Sequence, residues 1–149
     1  PKGLQWYWKG DFVKTLTDEA IDVHIAQAAK APSEICLMHL YPISGAVHRV
    51  ANDATAWHVR DASFSMVIAA IDPDPKKAES LKAWGRGYWK AVHPFNMDGG
   101  YVNFMMDDEA AGRLQASYGG NFARLAMVKA KYDPTNLFRV NQNIEPATV

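Results

Sequence analysis

Cysteine is almost missing from these 149 residues: Cys36 stands alone. That excludes an intrachain disulfide and the paired-thiol metal and redox motifs. Cys36 sits in the apolar run Ile35-Cys36-Leu37-Met38 and reads as a small core side chain. Net charge is missing too, since 16 basic and 16 acidic residues cancel. Without a Lys/Arg block, no field is expected to attract nucleic acid, an anionic membrane or a strongly charged substrate. No apolar stretch approaches the ~20 residues a membrane-crossing helix needs. The opening does not read as a signal peptide, and the expected compartment is the cytoplasm. There is no GxGxxG, P-loop, HExxH or CxxC. Gly85-Arg86-Gly87 lies inside a helical pattern and points to close packing rather than phosphate binding.

What the chain does have is a globular composition, 48% apolar with five Trp, enough for one domain with a sizeable core. Leu4 to Val13 reads as an aromatic-rich strand, with Gly10 marking a bulge or bend. Thr17 reads as a helix N-cap followed by acids at Asp18 and Glu19. Ile21, His24, Ile25 and Ala28 share one face of that helix, which ends at Ala31-Pro32-Ser33. Glu34–Tyr41 reads as a second strand and Ala46–Val50 as a third. Trp57–Arg60 is short and extended, and Ser63–Ile71 is a strongly β-like run. Pro75 suits the start of a helix running to about Val92, with Leu81, Trp84, Tyr88 and Val92 inward. Tyr101–Met105 reads as the last strand. Helices at Asp108–Ser117 and Asn121–Tyr132 follow, then an irregular tail from Leu137 to Pro146.

The order β-α-β-β-β-α-β then helices predicts an α+β fold. It consists of an antiparallel sheet with helices packed on one face, then a helical C-terminal segment. The expected division is a sheet domain over 1–106 and a helical segment and tail over 107–149, forming one compact unit. A tail of this kind either packs back, belongs against a neighbouring domain, or lies mobile after Phe138.

Two segments are less generic. One is Ser44-Gly45-Ala46-Val47-His48-Arg49-Val50, followed by Thr55-Ala56-Trp57-His58-Val59-Arg60. The other is Tyr101-Val102-Asn103-Phe104, then Tyr118-Gly119-Gly120-Asn121, Arg124-Leu125, Lys129, Tyr132-Asp133-Pro134, Asn136, Phe138 and Asn141-Gln142-Asn143-Ile144 with Pro146. Read physically, Gly119 stops one helix, Asn121 is placed to cap the next, and Asp133-Pro134 turns the chain.

Together these segments resemble the berberine bridge enzyme-like FAD-linked oxidoreductases. The C-terminal signature of that family reads Tyr-x-Asn-Tyr, Tyr-Gly-x-Asn, Arg-Leu, Lys-x-x-Tyr-Asp-Pro-x-Asn-x-Phe and Gln-x-Ile-x-Pro, in the order found here. The resemblance implies FAD as cofactor, held mainly by an N-terminal FAD-binding domain outside this sequence and acting as its partner. It implies a small-molecule substrate, an alcohol, amine or related compound giving up a hydride. It places Tyr101, Asn103, Asn141, Gln142 and Asn143 against the cofactor, since amides offer both donor and acceptor to a flavin edge. Strand alternation would put Tyr101 and Asn103 on one face, opposite Val102 and Phe104.

Tyr41, Trp57 and Phe104 are the candidate substrate-lining residues. Phe104 departs from the signature, which carries a tyrosine there, and so supplies no phenol as base. His48, in the glycine-led segment, is the candidate catalytic base. His48, His58 and Asp53 form the alternative of a metal site, though the expectation is no metal. The alternative function is a stand-alone α+β module that pairs with a second copy of itself through an uncovered aromatic sheet face.

Overall fold

A computed structural model describes residues 3–148. Three strands form an antiparallel sheet: β1 (Gln5–Val13), β2 (Leu37–Pro42) and β3 (Phe64–Asp72), in the order β1-β3-β2. β3 is the Ser63–Ile71 apolar run of the sequence. It is buried on both faces, as a central strand must be when both sides are covered. α1 (Asp18–Ala28) and α2 (Ala78–Val92) cover one face. The core between them joins Val13, Met66, Ile68, Tyr88 and Val92, with Val23 and Trp84 packed alongside. Two shorter helices, α3 (Ala111–Tyr118) and α4 (Phe122–Tyr132), close the chain. Among the described residues no helix is long and apolar enough to cross a membrane.

The α+β expectation is therefore met, with three strands instead of five. Gly45 turns at φ +62°, and Val47–Arg49 coils into a 3-10 turn. Its amides find carbonyls within the turn, so no ladder is needed, and Val47 packs on the Phe12–Ile43–Val59–Ala62 cluster. Val102–Phe104 is likewise a 3-10 turn. The β1 edge beside it is already taken: Met97 N–H donates to the Phe12 carbonyl (2.9 Å), and Arg113 Nη2 donates to the Gly10 carbonyl (2.6 Å). Gly10 makes no bulge, because the register runs unbroken from Gln5↔Asp72 to Val13↔Phe64. A Cβ at Gly10 would sit 2.7 Å from the Met66 carbonyl.

Two further readings shift, and a third holds for one residue of its pair. The buried face of α1 carries Ala20 and His24, whereas Ile21 and Ile25 are exposed. The second strand begins at Leu37 rather than Glu34, after the Pro32-Ser33 turn. Of the glycine pair of α2 only Gly85 serves packing: a Cβ there would lie 2.9 Å from the Tyr7 ring, whereas one at Gly87 would meet nothing within 4 Å.

Charged side chains stand inside the sheet. Lys9 and Asp11 alternate with the Trp8–Phe12 face of β1 and point to the α2 side; Asp11 is 0% exposed. One Asp11 oxygen accepts from Trp89 Nε1 (2.9 Å) and Arg113 Nη1 (2.9 Å). The other accepts from Asn96 Nδ2 (3.1 Å) and lies 2.9 Å from His93 Nδ1. Arg113 also pairs with Glu109 (2.9 Å), which pairs with Lys9 (2.7 Å). The Arg113 guanidinium stacks 4.7 Å over Trp89. Beyond Lys9, Asp108 takes Tyr7 Oη (3.0 Å) and Arg86. Burial pushes the Tyr7 phenol up to about 12. Burial opposes ionisation of Asp108, yet its bonds with Arg86 and Tyr7 hold the carboxyl below its ordinary range.

Two outcomes follow from this interior. Arg113→Met removes the main partner of a buried carboxylate and is expected to cost about 3–5 kcal/mol in urea denaturation; a loss below about 1 kcal/mol would contradict the network's role. Burial also lowers the pKa of His24 from its ordinary 6.5. Below that value the unfolded chain binds the proton more readily than the fold, so stability falls as pH drops from about 6.5 toward the folded value. In His24→Gln that part of the pH dependence should flatten, measured by thermal melts between neutral pH and about 5.

Candidate functional site

The sheet face opposite α2 carries the functional candidates. Five ring contacts form a row across it. His39 meets Tyr41 (5.5 Å), Tyr41 meets Phe104 (5.7 Å) and Phe104 meets Tyr101 edge-on (5.2 Å, 90°). Tyr101 stacks on Trp57 (6.3 Å) and Trp57 on Phe12 (6.0 Å). These spacings lie within the range of favourable aromatic pairs. A cavity of about 240 Å³ opens along the row, lined by Tyr41, Ile43, Trp57, Ser65, Tyr101 and Phe104. The three substrate-lining candidates thus meet in one place. Two polar groups at its wall, Ser65 Oγ and Trp57 Nε1, are buried without a hydrogen-bond partner among the described residues.

Alternation failed to place Tyr101 and Asn103, since the segment is a turn. The turn nevertheless joins them: Asn103 Nδ2 donates to Tyr101 Oη at 2.6 Å. Phe104 does not point away from Tyr101 but packs against it. A second, larger cavity of about 610 Å³ lies beside the first. Trp8, Asn103, Met105, Met106, Asn141 and Gln142 are among its walls. Three of the five cofactor candidates therefore converge there. Tyr101 borders the aromatic cavity instead, and Asn143 is tied back by its own amide to the Asn141 carbonyl (3.0 Å).

The tail that brings Asn141 in is anchored, contrary to the expectation of mobility after Phe138. Leu137 and Phe138 amides donate to the Asp133 carboxylate (2.8 and 3.0 Å). Gln142 Nε2 donates to the Met105 and Met106 carbonyls (3.2 and 3.3 Å), and Ala147 N–H to Ala126 (3.1 Å). Asn141 adopts φ +60°, a conformation asparagine tolerates better than most side chains. Lys129 near Asp133 lowers that carboxyl's pKa and so keeps its charge on the turn.

Other candidates are not gathered in. His48 is exposed on its turn and bonds through Nε2 to the Ala62 carbonyl (2.9 Å); it does not line the aromatic cavity. His58 lies against Gly119, where a Cβ would come within 2.7 Å of its Nε2. Among the described residues no three His, Cys, Asp or Glu side chains gather to hold a metal ion, so the His48–His58–Asp53 alternative finds no support. Asn121 does not cap α4 with its side chain. Its buried amide instead donates to the Asn52 and Thr55 carbonyls (2.7 and 2.9 Å), tying the loop before Trp57 to the last helix.

Sequence reasoning missed Trp8 and His39. Trp8 was read only as part of an aromatic-rich strand, yet its Nε1 is buried without a partner among the described residues, and the residue lines the larger cavity. A donor without a partner among the described residues, beside three amides, suits a flat heteroaromatic group with carbonyl acceptors, as in the isoalloxazine of FAD. The signal available in the sequence was the period of two that sets Trp8 opposite Lys9.

Comparison with known proteins places these features in context. Residues 100–145 match the family described as "Berberine and berberine like". An FAD-linked oxidoreductase of Dictyostelium discoideum is 28% identical over 148 residues, 98% of this chain and 32% of the relative. An uncharacterized FAD-linked oxidoreductase of Bacillus subtilis is 33% identical over 138 residues, 92% of this chain and 30% of the relative. Among solved structures, a glycopeptide hexose oxidase complexed with teicoplanin aligns with a TM-score of 0.85 at 25% identity, covering 95% of this chain and 32% of that one. The chain thus spans about a third of the length of the relatives it matches.

Gln142→Ala is expected to release the tail from the 105–106 carbonyls. Amide hydrogen exchange across 140–147 should then speed up by about tenfold; unchanged protection at Ala147 would show that the tail is held without Gln142.

Proposed function

Because the chain belongs to the berberine bridge enzyme-like family of FAD-linked oxidoreductases, we propose that it forms the substrate-side wall of such an enzyme. The larger cavity faces the isoalloxazine, with Asn103, Asn141 and Gln142 as amide partners, Tyr101 at the border and Asn143 steadying the tail. FAD, when bound, takes up a hydride from an alcohol, amine or related substrate carbon. The chain's own share is to orient and exclude: the row of rings gives a flat apolar surface to a small substrate, and the orphaned Ser65 and Trp57 groups give it polar contacts. His48, bonded to Ala62 and off the cavity wall, is a weaker candidate for the base than the sequence suggests.

The observation that carries this reading is the convergence on one cavity of Asn103, Asn141, Gln142 and Trp8, whose Nε1 has no partner among the described residues. The cofactor's main binding domain lies elsewhere in the protein. Exposed apolar side chains between Met127 and Val140, including Tyr132, Leu137 and Phe138, suit a surface covered by that domain. The alternative remains a stand-alone module that pairs with a second copy through the aromatic sheet face, and a monomeric mass by sedimentation would remove it.

Titration of this chain with FAD should show no micromolar binding, because it offers one wall only; such binding with a shifted flavin spectrum would contradict the division of labour. In the full-length protein Asn103→Ala should weaken FAD about tenfold, the loss of one hydrogen bond to the cofactor. An unchanged flavin affinity and spectrum would remove Asn103 from the site.

A further inference from the structure

The aromatic cavity has a neighbour. A further cavity of about 170 Å³ adjoins it, and Trp57 and Tyr101 line both. Phe12, Ala56, Val102 and Tyr118 complete most of its wall. Neither cavity is lined by a Lys, Arg, His, Asp or Glu side chain. The one charge over the shared wall is positive: the Arg60 guanidinium stands 5.6 Å from the Trp57 ring. Burial raises the pKa of the Tyr118 phenol and so keeps it neutral. A cation entering here would lose its water and find no carboxylate in exchange.

Polar partners are few as well. Ser117 Oγ, at the edge of the second cavity, donates to the Arg113 carbonyl (2.8 Å) and accepts from the Gly100 amide (3.0 Å). A sugar ring placed there would leave several hydroxyls unpaired. An apolar ring would not, and apolar cavities of about 150 Å³ take up benzene. The wall is also formed in advance. Asn121 Nδ2 donates to the Asn52 and Thr55 carbonyls, which fixes the loop that ends at Ala56. The Trp57 ring is held by its stack on Phe12 (6.0 Å). A ring entering such a space orders little that is not already ordered.

We infer that the second cavity takes an apolar ring of the substrate, which is an uncharged alcohol with two apolar arms, one for each cavity; this rests on the FAD-dependent function proposed above. Tyr101 and Trp57 form the wall that the two arms share. Of the substrate classes open to such an enzyme, an amine is protonated at neutral pH and fits this lining poorly. Ala56 sets specificity without touching the larger cavity, since it lines the second cavity and not that one.

The test uses the full-length FAD-loaded protein and two secondary alcohols that differ by one ring, dibenzyl carbinol and benzyl methyl carbinol. Binding is read by ligand-observed NMR, so turnover is not needed. Dibenzyl carbinol should bind at least about tenfold more tightly, the burial of one more ring. Its primary amine counterpart should bind at least about tenfold more weakly than the alcohol, the loss of hydration of one charge. Ala56→Leu should bring the two alcohols to nearly equal affinity and leave benzyl methyl carbinol as in wild type. Without any variant, nuclear Overhauser contacts should join the ring protons of bound dibenzyl carbinol to the methyl groups of Ala56 and Val102. Equal affinity of the two alcohols in wild type, or a bound ring without those contacts, would overturn the second cavity and leave the flavin function standing. Equal binding of amine and alcohol would overturn the uncharged substrate. Binding of neither alcohol would remove the substrate from the aromatic cavity, and the further inference with it.

Discussion

A carboxylate with no exposure to water anchors this structure. Asp11 lies within β1, and every favourable contact it makes reaches out of the sheet: to Trp89 and His93 at the end of α2, to Asn96 after it, and to Arg113 on α3. A buried charge left alone costs several kcal/mol, so the arrangement holds only while its partners stay in place. That requirement fixes the path of the chain from residue 93 to residue 113. Tyr101 and Asn103 lie on that path, so the ion network inside one face of the sheet sets the position of the groups outside the other.

The tail is positioned by weaker means. Asp133 holds the turn after α4, Gln142 grips two carbonyls next to the 102–104 turn, and Ala147 returns to α4. None of these bonds is to a side chain of the ion network. The two walls of the larger cavity are therefore set by different physics, one by paired charges in low dielectric and the other by hydrogen bonds near the surface, charge-assisted at Asp133 and neutral at Gln142 and Ala147. Hydrogen bonds of the second kind contribute about 1 kcal/mol each, which makes the tail the softer wall.

The sequence disclosed the parts that rest on local pattern. The β-like run at 63–71, the amphipathic helix to Val92 and the glycine stop at Gly119 all appear where periodicity and turn chemistry put them. Ala46–Val50 and Tyr101–Met105 misled, because β-branched and aromatic residues satisfy strand propensity without a partner edge, and edges are a property of the whole fold. Lys9 and Asp11 were legible as charges at i and i+2 in an aromatic strand. Their partners at 109 and 113 lay a hundred residues away and could not be read locally. At the site, the terminal amides and Asn103 followed from family resemblance. His48 misled for the same reason: its segment is a turn, and its imidazole bonds to the Ala62 carbonyl away from the aromatic cavity.

The row of rings has a consequence for how such a protein can change over evolutionary time. Tyr101 stacks on Trp57 along the aromatic cavity, while its hydroxyl is tied to Asn103 at the larger one. A substitution there alters both walls together. Ile43 and Ser65 touch the aromatic cavity without lining the other. Change at Ile43 or Ser65 therefore leaves the larger cavity alone, whereas change at Tyr101 reaches both, and Tyr101 behaves as a fixed post between them.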